Sequence, residues 1–117
     1  MNRPDTINYL ELPASDIMAT KKFFETVFNW SFQDYGHEYT AFKEDHLDGG
    51  FYKSDKKSLT ENGATLIVFY SNDLEATQEK IQSAGGQIVK PIFSFPGGRR
   101  FHFTEPSGNE LAVWSDN

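Results

Sequence analysis

The sequence predicts an α+β fold built from one βαβββ unit used twice. Three observations point there. The chain repeats itself at an offset near 57 residues, so that Asp16 meets Asp73, Ala19 meets Ala76 and Thr20 meets Thr77. Each copy holds one amphipathic helical stretch opened by an aspartate. Three short strand-like runs follow each helix, separated by turn-forming residues.

The elements follow in order. An apolar-rich run, Ile7 to Leu12, begins the first copy, and Thr65 to Tyr70 begins the second. Asp16 and Asp73 come next as N-caps, because a carboxylate accepts from the orphan N–H groups of a first helical turn. Ile17, Thr20, Phe24, Val27 and Phe28 then recur at helical spacing, as do Leu74, Thr77, Ile81 and Ala84. Asn29 ends the first helix and Gly85-Gly86 the second, residues that tolerate the left-handed conformation of a C-cap. The later strands are predicted at Ser31 to Tyr35, Tyr39 to Lys43 and Gly50 to Lys53, and at Gln87 to Lys90, Arg100 to Thr104 and Glu110 to Trp114. In the later part of each copy the offset grows to 61, so that Phe42 meets Phe103 and Glu44 meets Glu105. The difference is assigned to Pro91 to Gly98, read as a loop where insertions are cheap. The result is one domain over 1–117, with module one at 6–57 and module two at 62–116.

Composition narrows the function. At 117 residues the chain makes one domain able to bury a core without metal or disulfide staples. It has no cysteine, which removes thiolate metal sites and cysteine nucleophiles and fits a cytoplasmic setting. The apolar stretch Leu66 to Tyr70 is far too short to span a membrane, and the N-terminus lacks a signal-peptide core. A net charge of −6 repels phosphate backbones, so nucleic acid is not an expected partner. Eleven phenylalanines imply a core or cleft walled by aromatic rings.

The doubled βαβββ unit, together with NYLELPASD before the first helix, GGFYK closing the first copy and EPSGNELAVW closing the second, resembles the vicinal oxygen chelate superfamily. That superfamily includes glyoxalase I, extradiol dioxygenases, and bleomycin- and fosfomycin-resistance proteins. The resemblance runs from about Thr6 to Ser115. It implies that each module forms a curved mixed sheet, and that paired modules make one cleft within a chain or across a homodimer. It also implies a metal held by one residue from the first and last strand of each module. Carried over, those positions fall on Tyr9, Phe51, Leu66 and Ala112.

None of these four suits a divalent cation, which takes imidazole nitrogen or carboxylate oxygen. Phe51, Leu66 and Ala112 have no donor, and a tyrosine phenol with an ordinary pKa of about 10 is a poor ligand. No metal and no other cofactor is therefore expected. Glu11, Glu110 and His102 are the nearest donors for a displaced site, but solvated readings of Glu110 and His102 are preferred.

Glu11 stands between Leu10 and Leu12 and shares a face with Tyr9. Unless paired, a carboxylate among aromatics has a raised pKa, which suits a general base. The bland alternative is a carboxylate hydrogen-bonded to fix the sheet. Tyr9, Phe51, Leu66, Val68, Ala112 and Trp114 are expected to line the cleft. His37 is expected at its rim, and Arg99 on a glycine-bearing flap where Arg99 or Arg100 meets an acidic substrate. Three readings stand open: a metal-independent glyoxalase-related protein binding a small organic molecule, a lyase or isomerase on a small carbonyl compound with Glu11 as proton shuttle, and a drug-sequestering protein of the bleomycin-resistance kind.

Overall fold

In the computed structural model, which describes residues 2–117, both copies take the predicted order. Module one runs β1 (Tyr9–Ala14), α1 (Ile17–Phe28), β2 (Ser31–Asp34), β3 (Tyr39–Lys43) and β4 (Asp48–Lys53). A 3₁₀ turn at Thr60–Asn62 links it to β5 (Ile67–Tyr70), α2 (Leu74–Ser83), β6 (Gln87–Phe95), β7 (Gly98–Thr104) and β8 (Glu110–Ser115). The two sheets have strand orders β1-β4-β3-β2 and β5-β8-β7-β6. In each the first strand runs parallel to the last, and the other pairs are antiparallel. No helix among the described residues is long and apolar enough to cross a membrane.

The caps form as the residues dictate. Asp16 accepts from the Ala19 N–H and Asp73 from the Ala76 N–H. Asn29 takes the left-handed conformation, with φ of 61°, and its N–H reaches the Phe24 carbonyl. Two expectations need correction. The stretch read as a loop at 91–98 is mostly strand: β6 continues to Phe95 and turns tightly into β7 at Pro96-Gly97. Its register shifts twice between Ile88 and Phe93, which lets the strand curl around Pro91, a residue with no N–H to give the ladder.

The second correction is a register. Leu12 pairs with Phe51 in the first sheet and Phe69 with Val113 in the second, so Phe51 corresponds to Val113 and Gly50 to Ala112. The cause is the last turn. Glu44 N–H closes on the Leu47 carbonyl, whereas Glu105 N–H closes on Asn109, one residue further on. A one-residue slip sends a side chain to the opposite face. Phe51 is accordingly in the core, 1% exposed, not on the outer face.

That core lies around α1. Phe24 stacks on Phe51 of the first sheet and on Trp30, with ring centroids 5.5 and 4.5 Å apart. Phe28 stacks on Phe69 of the second sheet at 4.1 Å, and Phe23 lies 5.9 Å from Phe103. Each sheet thus turns one face to the same helix. The opposite faces point away from each other, on two outer sides of the molecule.

Candidate functional site

The outer face of the first sheet carries a hydrogen-bonded chain. Tyr9 and Tyr39 hydroxyls are 2.5 Å apart, and Tyr39 donates to Glu11 Oε2 at 2.9 Å. Tyr39 spends its proton on Glu11, so Tyr9 is the donor of the first bond. Alternation puts Tyr9 and Glu11 on this face, and Gly50 pairs with both Glu11 and Ala41 in the register. Gly50 is needed there: a Cβ at this position would run into the Tyr39 hydroxyl and ring. Burial, followed by the bonds to Tyr9 and Glu11, pushes the Tyr39 phenol well above its ordinary value. Glu11 is thus paired, through one oxygen, and exposed within the single chain.

Two hollows flank this chain. Tyr9 borders one of about 270 Å³ with Gln33, Tyr35, Lys43 and Asp48. Glu11 and Tyr52 border another of about 410 Å³, shared with Lys56, Lys57 and Thr65 at the seam between modules. Both are at the small end for organic ligands.

The outer face of the second sheet is built differently. Val68 and Ala112 pair across β5 and β8, with Val68 41% exposed and Ala112 fully buried. Leu66 precedes β5 and is half-buried. Trp114 meets Tyr70 edge-on at 5.1 Å. The curled β6 brings Phe93 within 6.0 Å of His102 and Phe95 within 6.3 Å of Trp114, so this face is partly covered by its own rings. His102 is 3% exposed rather than solvated, and its Nδ1 lies 2.7 Å from Glu110 Oε2. Glu110 is pinned in turn by the Thr60 N–H and hydroxyl at 2.9 Å each. Burial works against its charge, yet the bonds from His102 and Thr60 hold the Glu110 carboxyl below its ordinary value.

The predicted residues therefore divide. Tyr9 and Glu11 meet on one outer face; Val68, Ala112 and Trp114 belong to the other, and Phe51 to neither. Within one chain these residues do not surround a common hollow. His37 is exposed in the β2–β3 turn and borders a hollow of about 910 Å³ along α1 with Asp16, Lys21, Asp34 and Lys53, away from both outer faces. Arg99 faces the helix side. Its guanidinium grips Glu75 of α2 at 2.7 and 3.2 Å, which holds the Glu75 carboxyl below its ordinary value. Tyr39, Gly50 and Phe93 were not singled out in the sequence, and Arg100 was named only beside Arg99 on the flap. The alternation of β3 and β7 would have placed Tyr39 and Arg100, but the crossing of Tyr39 over Gly50 has no sequence signature.

A metal of the kind the superfamily uses does not fit this donor set. With the observed register the four positions are Tyr9, Gly50, Leu66 and Ala112, and none supplies imidazole or carboxylate. Tyr39 also fills the volume a side chain at 50 would need. Glu11 stands apart from the His102–Glu110 pair, on the other sheet, and no cluster of three metal-ligating side chains occurs among the described residues.

The fold defines a paired-βαβββ protein whose side chains at Tyr9, Gly50, Leu66 and Ala112 include no imidazole or carboxylate. The chain belongs to the glyoxalase/bleomycin resistance protein/dioxygenase superfamily, whose family model matches residues 6–113. It is 30% identical over 122 residues to a glyoxylase-like domain-containing protein of Didymella fabae, covering 92% of this chain and 91% of that one. It is 23% identical to CFP32 of Mycobacterium tuberculosis over 98% of its own length but 47% of the relative's, so the chain spans about half of that protein. A glyoxalase-related enzyme from Fulvimarina pelagi shares the fold with a TM-score of 0.78 at 15% identity, over 95% of this chain and 88% of that one.

Proposed function

We propose that this glyoxalase-related protein binds a small organic molecule against the outer face of its first sheet, without a divalent metal. The observation that carries the reading is the Tyr9–Tyr39–Glu11 chain lying over Gly50, where the superfamily's last-strand ligand would stand. The lone pairs of Tyr9 and the free Oε1 of Glu11 accept hydrogen bonds from the ligand, and Tyr35 and Tyr52 supply aromatic walls. The outer face of a second copy, with Val68, Trp114 and Tyr70, completes the cleft in a homodimer. That arrangement accounts for two sheet faces that point apart in one chain and expose Tyr9, Tyr52, Val68 and Tyr70. Metal analysis of protein purified without chelator tests the metal-free part: sub-stoichiometric zinc, nickel and iron are expected, and one equivalent bound at this face overturns it.

The hydrogen-bond chain also favours a catalytic reading. Glu11 Oε1 takes the proton from the hydroxyl-bearing carbon beside a carbonyl, and the electron pair moves to the carbonyl oxygen to give an enediolate. The hydroxyl proton passes to that oxygen, and Glu11 returns its proton to the former carbonyl carbon as a new carbonyl forms where the hydroxyl stood. Tyr39 positions the carboxylate by holding its other oxygen. With small α-hydroxycarbonyl compounds as substrates, Glu11→Gln should abolish isomerisation while Tyr39→Phe lowers kcat more than it raises KM. An undiminished rate in Glu11→Gln refutes the role.

A further inference from the structure

We propose that the outer face of the second module carries an anion site, formed by Arg100 and His102 with Lys90 at its rim, that takes the carboxylate of a flat organic acid. Among the described residues, three buried side-chain polar atoms lack a hydrogen-bond partner: Gln78 Oε1, Arg100 Nε and His102 Nε2. Two of the three stand two residues apart on β7, and so on one face. Buried polar atoms left unpaired are rare and costly, so two together call for an occupant.

The surroundings give its charge. The ion pairs among the described residues are Lys21–Asp34, Arg99–Glu75 and His102–Glu110, so Arg100 and Lys90 are among the cations without a carboxylate partner. Both cations gather on one ring, with Arg100 Cζ 5.4 Å and Lys90 Nζ 5.7 Å from the Phe93 centroid. Arg100 also lies 5.8 Å from Phe95. Glu110 locks the His102 ring through Nδ1, so Nε2 has a fixed direction. An anion at Nε2 calls for the imidazolium, in which both nitrogens donate. The Phe93 ring, 6.0 Å from the His102 ring between centroids, must turn aside to admit an anion, and it sits next to the register shift between Lys90 and Phe93. Phe93, Phe95 and Trp114 then offer ring faces to a planar acid, while the planar Arg100 fork suits its carboxylate.

This site deepens the binding role proposed above, but it uses the other sheet. The test is a titration of the ¹⁵N-labelled full chain with benzoate and, separately, with neutral benzamide. Benzoate should shift the resonances of His102 Nε2 and Arg100 Nε. It should bind at least about tenfold more tightly than benzamide, as loss of a charge-assisted contact requires. Arg100→Gln should weaken benzoate by a similar factor, and Arg99→Gln should leave it unchanged. Equal affinity for the two compounds, or an unaffected Arg100→Gln protein, overturns the site. If Tyr9 and Tyr39 respond to either compound while His102 and Arg100 do not, the anion site falls and the first-face reading stands. If no outer-face resonance responds to either, the anion site falls, and metal analysis and turnover still judge the first face.

Discussion

Glu105 shows how much one residue settles in this fold. It is 2% exposed and accepts from the Thr20 hydroxyl at 2.6 Å, the Ser107 N–H at 2.8 Å and the Asn109 amide at 2.7 Å. Asn109 also donates to the Pro13 carbonyl, and Ser107 to the Asp16 carbonyl, so this turn of module two is fastened to β1 and α1 of module one. Burial pushes the Glu105 carboxyl above its ordinary value, against these three bonds and a fourth from the Asn109 N–H at 3.4 Å, all of which favour its charge. A folded value above the unfolded one means that the group's contribution is full below the unfolded pKa. It is lost as pH rises through the folded pKa. Urea unfolding from about pH 4 to 7 should therefore show a flatter pH profile in Glu105→Gln, with a loss of about 1–3 kcal/mol because the new amide meets donors with donors. Parallel profiles would contradict the assignment. Gly50 makes a second test at this scale. Gly50→Ala should cost about 1–3 kcal/mol by overpacking, and much less in a Tyr39→Ala background. Simple additivity of the two costs would sink the packing account.

At the scale of the element, β4 and the β6–β7 hairpin matter most. The register of β4 decides which residues face a ligand and which face α1. Phe51→Ala should lose about 3–5 kcal/mol as a buried aromatic deletion, whereas Tyr52→Ala, one residue on, should stay within about 1 kcal/mol. Denaturant midpoints compare the two directly, and similar losses would mean that the register is wrong. The hairpin matters because its curl delivers Phe93 and Phe95 onto the second outer face. A flat β6 would leave His102 and Ala112 uncovered.

For the whole molecule, the shared core around α1 is the controlling fact. It turns the two sheets back to back, so the cleft proposed above takes its second wall from a second copy. Sedimentation equilibrium should find a dimer, and Tyr70→Asp or Val68→Asp should shift it toward monomer by placing charge on an apolar contact. Thermal unfolding should then lose its concentration dependence. A wild-type protein that sediments as a monomer at high concentration would refute the shared cleft.

The repeat, the helix caps and the order of elements along the chain were legible in the sequence because they rest on local periodicity and on residues such as Asp16, Asp73 and Asn29 with strong local preferences. That Leu66 and Ala112 carry no donor atom in their side chains is read from the sequence directly. Half of the candidate site, Tyr9 and Glu11 on one face of β1, followed from alternation alone. The rest did not. One extra residue in the turn from Glu105 to Asn109 makes Gly50, not Phe51, the counterpart of Ala112, and offsets measured along the chain do not say which turn absorbs an insertion. Tyr39 over Gly50, Arg99 on Glu75 and His102 beneath Phe93 are contacts between strands far apart in sequence. Only tertiary packing decides them, because the chain's local preferences are the same whichever partner a side chain meets.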